Sequence, residues 1–249
     1  MKRFIALSCE ALARSLYSVS ASSSNSISIQ LLRQGLHDKP KNLREALQTE
    51  IDAVDVSAFE AILLAYGLCG TSIAGLRAGQ IPLVIPRAHD CITIYLGSLE
   101  RYTLEFARHP GTYWFSAEYL ERLDDGASDQ LGAAGVSELT DQYEKYERKY
   151  GPERAQLLIR EFKKWTQHYT RAVFIDTGLG NGDKFELIAK NRALQEGWIY
   201  ERTQGDKRLL QMLVDGQWSE KEFLYVPPGH SIQPSYDSNV IRAVPDSDF

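Results

Sequence analysis

Residues Ala61-Ile62-Leu63-Leu64-Ala65-Tyr66 form an apolar run with no polar alternation, closed by Gly67. A strand with one wet face alternates polar and apolar side chains. A short run without alternation is buried on both faces, which is the condition of a strand in a parallel sheet covered by helices. Parallel neighbours require long crossover connections, usually helical. The flanking sequence supplies both parts. Phe4 to Ser8 predicts a first strand, with helical spacing at Ala11, Leu12 and Leu16 after it. Ile27 to Leu32 predicts a second strand and Leu43 to Ile51 a helix. A short Gly-containing helix is expected before the strand Ile81 to Pro86. Strands alternating with helices in this way imply βαβ units.

The pattern recurs further on. Thr112 to Phe115 predicts a short aromatic strand, and the Asp, Gly, Ala and Ser of 121–135 predict a loop or lobe boundary. Ser137 to Tyr169 is charged and helical, broken at Gly151-Pro152. Ala172 to Ile175 predicts a strand, Phe185 to Gln195 a helix and Trp198 to Glu201 another strand. The residues after Pro228 are polar and Pro-rich, as expected of a tail laid over the surface or a cleft. The fold class expected is α/β, a parallel-sheet, Rossmann-like βαβ architecture in two similar lobes with a cleft between them. The expected boundary sets an N-terminal α/β lobe at 1–125 against a helical connection, second α/β lobe and tail at 126–249.

Charge and cysteine usage narrow the setting. A net charge of −5, with basic residues scattered among acidic ones, gives no attraction to phosphate backbones or anionic lipid, so neither nucleic acid nor membrane is expected as a partner. The apolar run after Lys2 and Arg3 is interrupted by Glu10 and Arg14 before a secretory core can form. Three widely spaced cysteines, an odd number, point to a reducing, cytoplasmic setting rather than a disulfide framework.

The position of those cysteines is the main clue to function. Cys9, Cys69 and Cys91 each follow a different predicted strand by a few residues. In an open parallel sheet the carboxyl ends of neighbouring strands face one crevice, where ligands bind. Three thiols converging there from separate loops suit a soft metal, zinc or an iron–sulfur cluster, with one coordination position left for substrate. The alternative is that each cysteine is a small buried apolar filler. Gly67 and Gly70 around Cys69 favour a site, because they let backbone turn tightly beside a bound group.

His89-Asp90-Cys91 presents an imidazole, a carboxylate and a thiol on one turn. His89 is a candidate fourth ligand or general acid/base, Asp90 a candidate catalytic carboxylate or a helix cap, and Arg87 a candidate anchor for a substrate carboxylate or phosphate, or a surface charge. Cys91 at a helix N-terminus is also a candidate nucleophile, since that position lowers a thiol pKa. Gly178, Gly180 and Gly182 lie in a turn between a strand and a helix, a place where backbone amides collect anions, although neither P-loop nor GxGxxG spacing is present. Its plain alternative is a tight turn capped by Asp183. His230 after Pro227-Pro228-Gly229 is a second imidazole within reach of a cleft or an exposed tail residue, and no G-x-S-x-G elbow supports serine catalysis.

Tyr66-Gly67-Leu68-Cys69-Gly70, Ile85-Pro86-Arg87-Ala88-His89-Asp90-Cys91 and Gly111-Thr112-Tyr113-Trp114, with Leu7-Ser8-Cys9-Glu10 near the start, make the chain similar to the bacterial and archaeal "domain of unknown function 1638" family. The resemblance covers most of the chain. It implies a site at the three cysteines and His89. Members occur in anaerobes and methanogens, which implies a setting in methyl or one-carbon metabolism and a protein partner in methyl transfer. The function expected is a metal-binding protein, an enzyme of transferase or lyase type, in which Cys9, Cys69 and Cys91 hold zinc or an iron–sulfur cluster and a small polar or anionic metabolite is the substrate. The rivals are a metal-free binding or accessory protein for an anionic metabolite or cofactor, and a cysteine-nucleophile enzyme.

Overall fold

The computed structural model describes residues 1–123, 131, 146–157 and 168–246. Its largest sheet has five strands in the order β2-β1-β3-β4-β8. Strands β1 (Arg3–Cys9), β2 (Ser26–Leu32), β3 (Ala61–Ala65) and β4 (Leu83–Pro86) are mutually parallel, and β8 (Phe223–Val226) closes the β4 edge antiparallel. All five residues of β3 are buried, as its unbroken apolar run requires. A second sheet, β5 (Thr112–Ser116), β6 (Arg171–Asp176) and β7 (Ile199–Gln204), is parallel throughout. The expected α/β class and βαβ logic are therefore present in both sheets.

From β1 the chain winds outward to β2, then returns to place β3 on the other side of β1. That reversal opens a crevice at the carboxyl ends of β1 and β3, where an open α/β sheet takes its ligands. Helix α1 (Ala13–Ser22) and helix α2 (Pro40–Asp52) make the two crossovers. Leu16 and Val19 of α1 join one core with Phe4, Ala6 and Leu63, while Leu43, Leu47 and Ile51 of α2 join another with Leu7, Ile62 and Leu64. Alternate residues of β1 and β3 thus feed opposite faces of one sheet.

The boundary expected at 125/126 lies outside the described residues, and strand pairing crosses it in both directions. Thr112–Ser116 pairs with Arg171–Ile175, and Phe223–Val226 pairs back onto Leu83–Pro86. Trp114, Val173 and Ile175 of the three-stranded sheet also pack into the core that holds Phe4 and Leu63. Glu118 ties the two parts by hydrogen bonding. Its carboxylate accepts the Ser15 amide at 2.9 Å and the Ser15 hydroxyl at 2.6 Å, capping the first turn of α1 from another element.

Three expectations are corrected. The stretch between β3 and β4 forms turns instead of a helix, because its amides go elsewhere: Gly75 N–H donates to Ile232 O and Ala78 N–H to His230 O. The segment after Pro228 is a β-hairpin, His230–Pro234 with Ile241–Pro245, and its Ile232 and Ile241 are fully buried. Helix Arg208–Asp215 and strand β8 were not foreseen, and both belong to the five-stranded part. Of the helix expected at 137–169, the described residues 146–150 and 152–157 are helical, with Gly151 between them at φ 80°, and 168–169 are not helical. No helix of the described residues is long and apolar enough to cross a membrane.

Candidate functional site: a thiol pocket at the strand ends

Cys9 ends β1, Cys69 follows β3, and Cys91 opens helix α3 (Cys91–Leu96) after β4. All three are unpaired and line one pocket, together with Tyr66, Gly67, Asp90, Arg33, His37 and Tyr119. The cavity volume is about 30 Å³. Residues 82 positions apart thus meet because parallel strands deliver their carboxyl ends to one edge.

The loops carrying Cys69 and Cys91 are laced together. Leu68 N–H donates to Ala88 O and Cys69 N–H to His89 O, both at 2.8 Å, which extends the parallel ladder past the strand ends. The fit is close. A Cβ on Gly67 would stand 2.6 Å from Asp90 Cα and 2.6 Å from Asp90 N, so only glycine lets these backbones approach. Cys69 itself has φ 47°, a left-handed conformation unusual for a non-glycine residue. Strain of this kind gathers at functional positions, where the surrounding structure holds it in place. Ser72 supports the turn, its hydroxyl donating to Cys69 O at 2.9 Å.

The cysteines are half-buried residues whose sulfurs sit in dense surroundings. Burial pushes Cys9 up to about 11, against a smaller opposing effect of the Ala11 amide. Burial raises Cys69 and Cys91 further, and both are raised again by Asp90 and by neighbouring thiols. The helix N-terminus expected to lower the Cys91 pKa is outweighed by desolvation. All three are therefore neutral thiols at pH 7 unless a cation stabilises the thiolates.

Asp90 is the N-cap of α3, its carboxylate accepting the Thr93 amide at 3.2 Å. Burial raises it to about 6 despite that bond and one from Tyr102. His89 does not line the thiol pocket. Its ring lies 5.4 Å from that of Tyr102 and borders a separate groove with Ser98, Arg208 and Asn239. Arg87 also points elsewhere, donating to Glu220 O at 2.8 Å and to Asn239 O and Ile241 O at 2.9 and 2.5 Å. It pins the C-terminal hairpin to the end of β4, a task that uses the guanidinium fork without any substrate.

The glycine turn is placed apart from the thiols. Gly178 N–H donates to Asp176 Oδ1 at 2.9 Å, and Asn181 caps the helix Gly182–Glu196 by accepting the Lys184 amide. Asp176 is in turn paired with Arg202 at 2.6 Å. The Gly178 amide is thus already bonded to a fixed carboxylate, and Gly178 and Gly180 hold the left-handed φ values of 70° and 71° that the turn requires. His230 carries its Nδ1 3.2 Å from Pro228 O and does not reach the pocket.

Two pocket residues escaped sequence reasoning. Tyr66 is 3% exposed, and its hydroxyl finds no partner among the described residues. His37, in a 3-10 turn after β2, leaves Nε2 buried without a hydrogen bond among the described residues. A buried donor or acceptor left unpaired costs about 1–3 kcal/mol. Tyr66 reads as the end of an apolar strand and as part of a family motif but not as a site residue, and nothing local to His37 marks it.

The fold and this pocket define a class: parallel α/β proteins with converging thiols at the topological switch point. Within that class the chain belongs to the family described as protein of unknown function DUF1638, whose model matches residues 31–214. The match includes His37, Tyr66, Cys69 and Cys91, and Cys9 precedes it. No curated protein and no solved structure matches the chain.

Proposed function

We propose that the thiol pocket is a soft-metal site, holding zinc or an iron–sulfur cluster through Cys9, Cys69 and Cys91, and that the protein acts there on a small polar or anionic metabolite. The observation that carries this reading is the meeting of every cysteine in the chain at one pocket, from three separate strand ends. Sulfur donors suit zinc and iron and disfavour magnesium or calcium. As the side chains stand, no group of three or more His, Cys, Asp or Glu among the described residues is set around a single ion. Metal binding in this reading draws the thiols inward and displaces their protons, so it strengthens with rising pH.

Bound metal would supply a Lewis acid at the strand ends. The chain's own residues do the rest. Asp90 holds the Cys91 helix in place, the Leu68 and Cys69 amides lock the two cysteine loops together, and the apolar residues Leu12, Leu36 and Leu43 limit water. Methyl or one-carbon chemistry with a partner protein is the setting that the family resemblance favours. Elemental analysis and an absorption spectrum of protein purified without oxygen test the proposal. Near-stoichiometric zinc, or iron with sulfide, is expected. Metal-free protein with unchanged activity would refute it in favour of a metal-free binding role.

A further inference from the structure

The thiol pocket has a second wall that the sulfurs do not explain. Tyr66 and His37, at the end of β3 and in the turn after β2, both line it, and each carries a buried polar atom with no hydrogen-bond partner among the described residues. The nearest charge to His37 Nε2 is Asp38 Oδ1 at 3.6 Å, beyond hydrogen-bond distance. Arg33 lines the same pocket, and the five donors of its planar fork can be shared between an existing partner and the oxygens of a carboxylate or phosphate. Of the acidic groups nearby, Asp90 accepts the Thr93 amide, Glu10 accepts the Gln34 amide at 3.0 Å, and Asp38 faces the His37 imidazole. The wall therefore offers a phenol donor, an imidazole nitrogen and a cation, a set that suits an anion carrying oxygen acceptors.

We infer that Tyr66, His37 and Arg33 hold a small oxyanion, a carboxylate or a phosphate, against the thiol site. This deepens the metal-site reading and rests on it for what the anion faces, although its own residues are different ones. It also moves the site's imidazole from His89, which lies in the neighbouring groove, to His37.

Calorimetric titration of protein as purified, with acetate in one series and inorganic phosphate in another at fixed ionic strength, tests the inference, and the metal content of each sample is measured alongside. One of the two probes should bind, which separates carboxylate from phosphate. Tyr66→Phe, which keeps the ring, and His37→Gln should each weaken that probe about tenfold, and Arg33→Gln at least as much, with metal content and melting temperature unchanged. Binding by neither probe, or equal binding by wild type and variants, would overturn the inference and leave water as the occupant. Loss of metal from His37→Gln would also overturn it, making the imidazole a ligand. Variant-sensitive binding by metal-free wild type would support the anion wall while refuting the metal site.

Discussion

Two sheets in this molecule end in the same kind of place, and only one of the ends is left open. At the carboxyl edge of the three-stranded sheet, Asp176 takes the Gly178 amide and the Arg202 guanidinium, and Asn181 caps the next helix. Asp176 and Asn181 are thus both engaged by neighbouring donors. At the carboxyl edge of the five-stranded sheet, three thiols, a phenol and an imidazole line a pocket, and the last two have no hydrogen-bond partner among the described residues. A strand end does not make a site. What distinguishes the open end is polar chemistry that the fold gathers and does not satisfy.

Gly67→Ala strikes the open end hardest. Its Cβ would overlap the Asp90 backbone at 2.6 Å, which no side-chain movement relieves. A loss of about 3–4 kcal/mol in urea unfolding is expected, with the Cys69 and Cys91 loops driven apart and metal lost. Wild-type stability and metal content would show that the loops need no close approach.

Asp90→Asn sharpens the electrostatic side. Burial raises Asp90 to about 6, so between its unfolded value near 4 and that value the folded chain holds a proton that the unfolded chain has released. Its contribution is fully present below about pH 4 and is lost as pH rises through about 6. Metal-free wild type should thus lose about 2–3 kcal/mol across that window, and Asp90→Asn, which keeps the helix cap, should flatten the curve. Parallel pH curves for the two would remove desolvation of Asp90 as the cause.

Arg87→Ala locates the border of the open end. It frees three carbonyls that now bind the guanidinium, at a cost of about 2 kcal/mol, and should speed hydrogen exchange across His230–Pro245. Anion binding in the thiol pocket should be unchanged. Weakened binding would return Arg87 to a substrate role. The smallest effect belongs to the closed end. Gly182→Ala meets nothing nearer than Asp176 Oδ1 at 3.9 Å, so it should change stability by less than about 0.5 kcal/mol and leave metal and anion binding untouched.

Much of the open end was legible in the sequence because its cause is local. The unbroken run Ala61 to Tyr66 demanded a buried parallel strand, and the cysteines at or just beyond the ends of strands β1, β3 and β4 had to share its edge. Arg87 and His89 were misplaced because sequence offset does not fix side-chain direction around a loop. Arg87 is claimed by carbonyls more than 130 residues away, and the neighbouring Tyr102 ring takes His89. The hairpin after Pro228 was hidden for a related reason: its buried Ile232 and Ile241 answer to a core made elsewhere. His37 and Tyr66 could have been found only by knowing that their partners are missing, which is a property of the folded pocket.

The central claim is that the three thiolates serve one metal centre. X-ray absorption at the metal edge of anaerobically purified protein tests it most directly, because the fine structure counts sulfur neighbours. The account predicts three protein sulfurs around zinc, or iron with a sulfur-dominated shell, and loss of one protein sulfur or of the metal in each of Cys9→Ser, Cys69→Ser and Cys91→Ser. A first shell of oxygen and nitrogen alone, or one unchanged by all three substitutions, would contradict it.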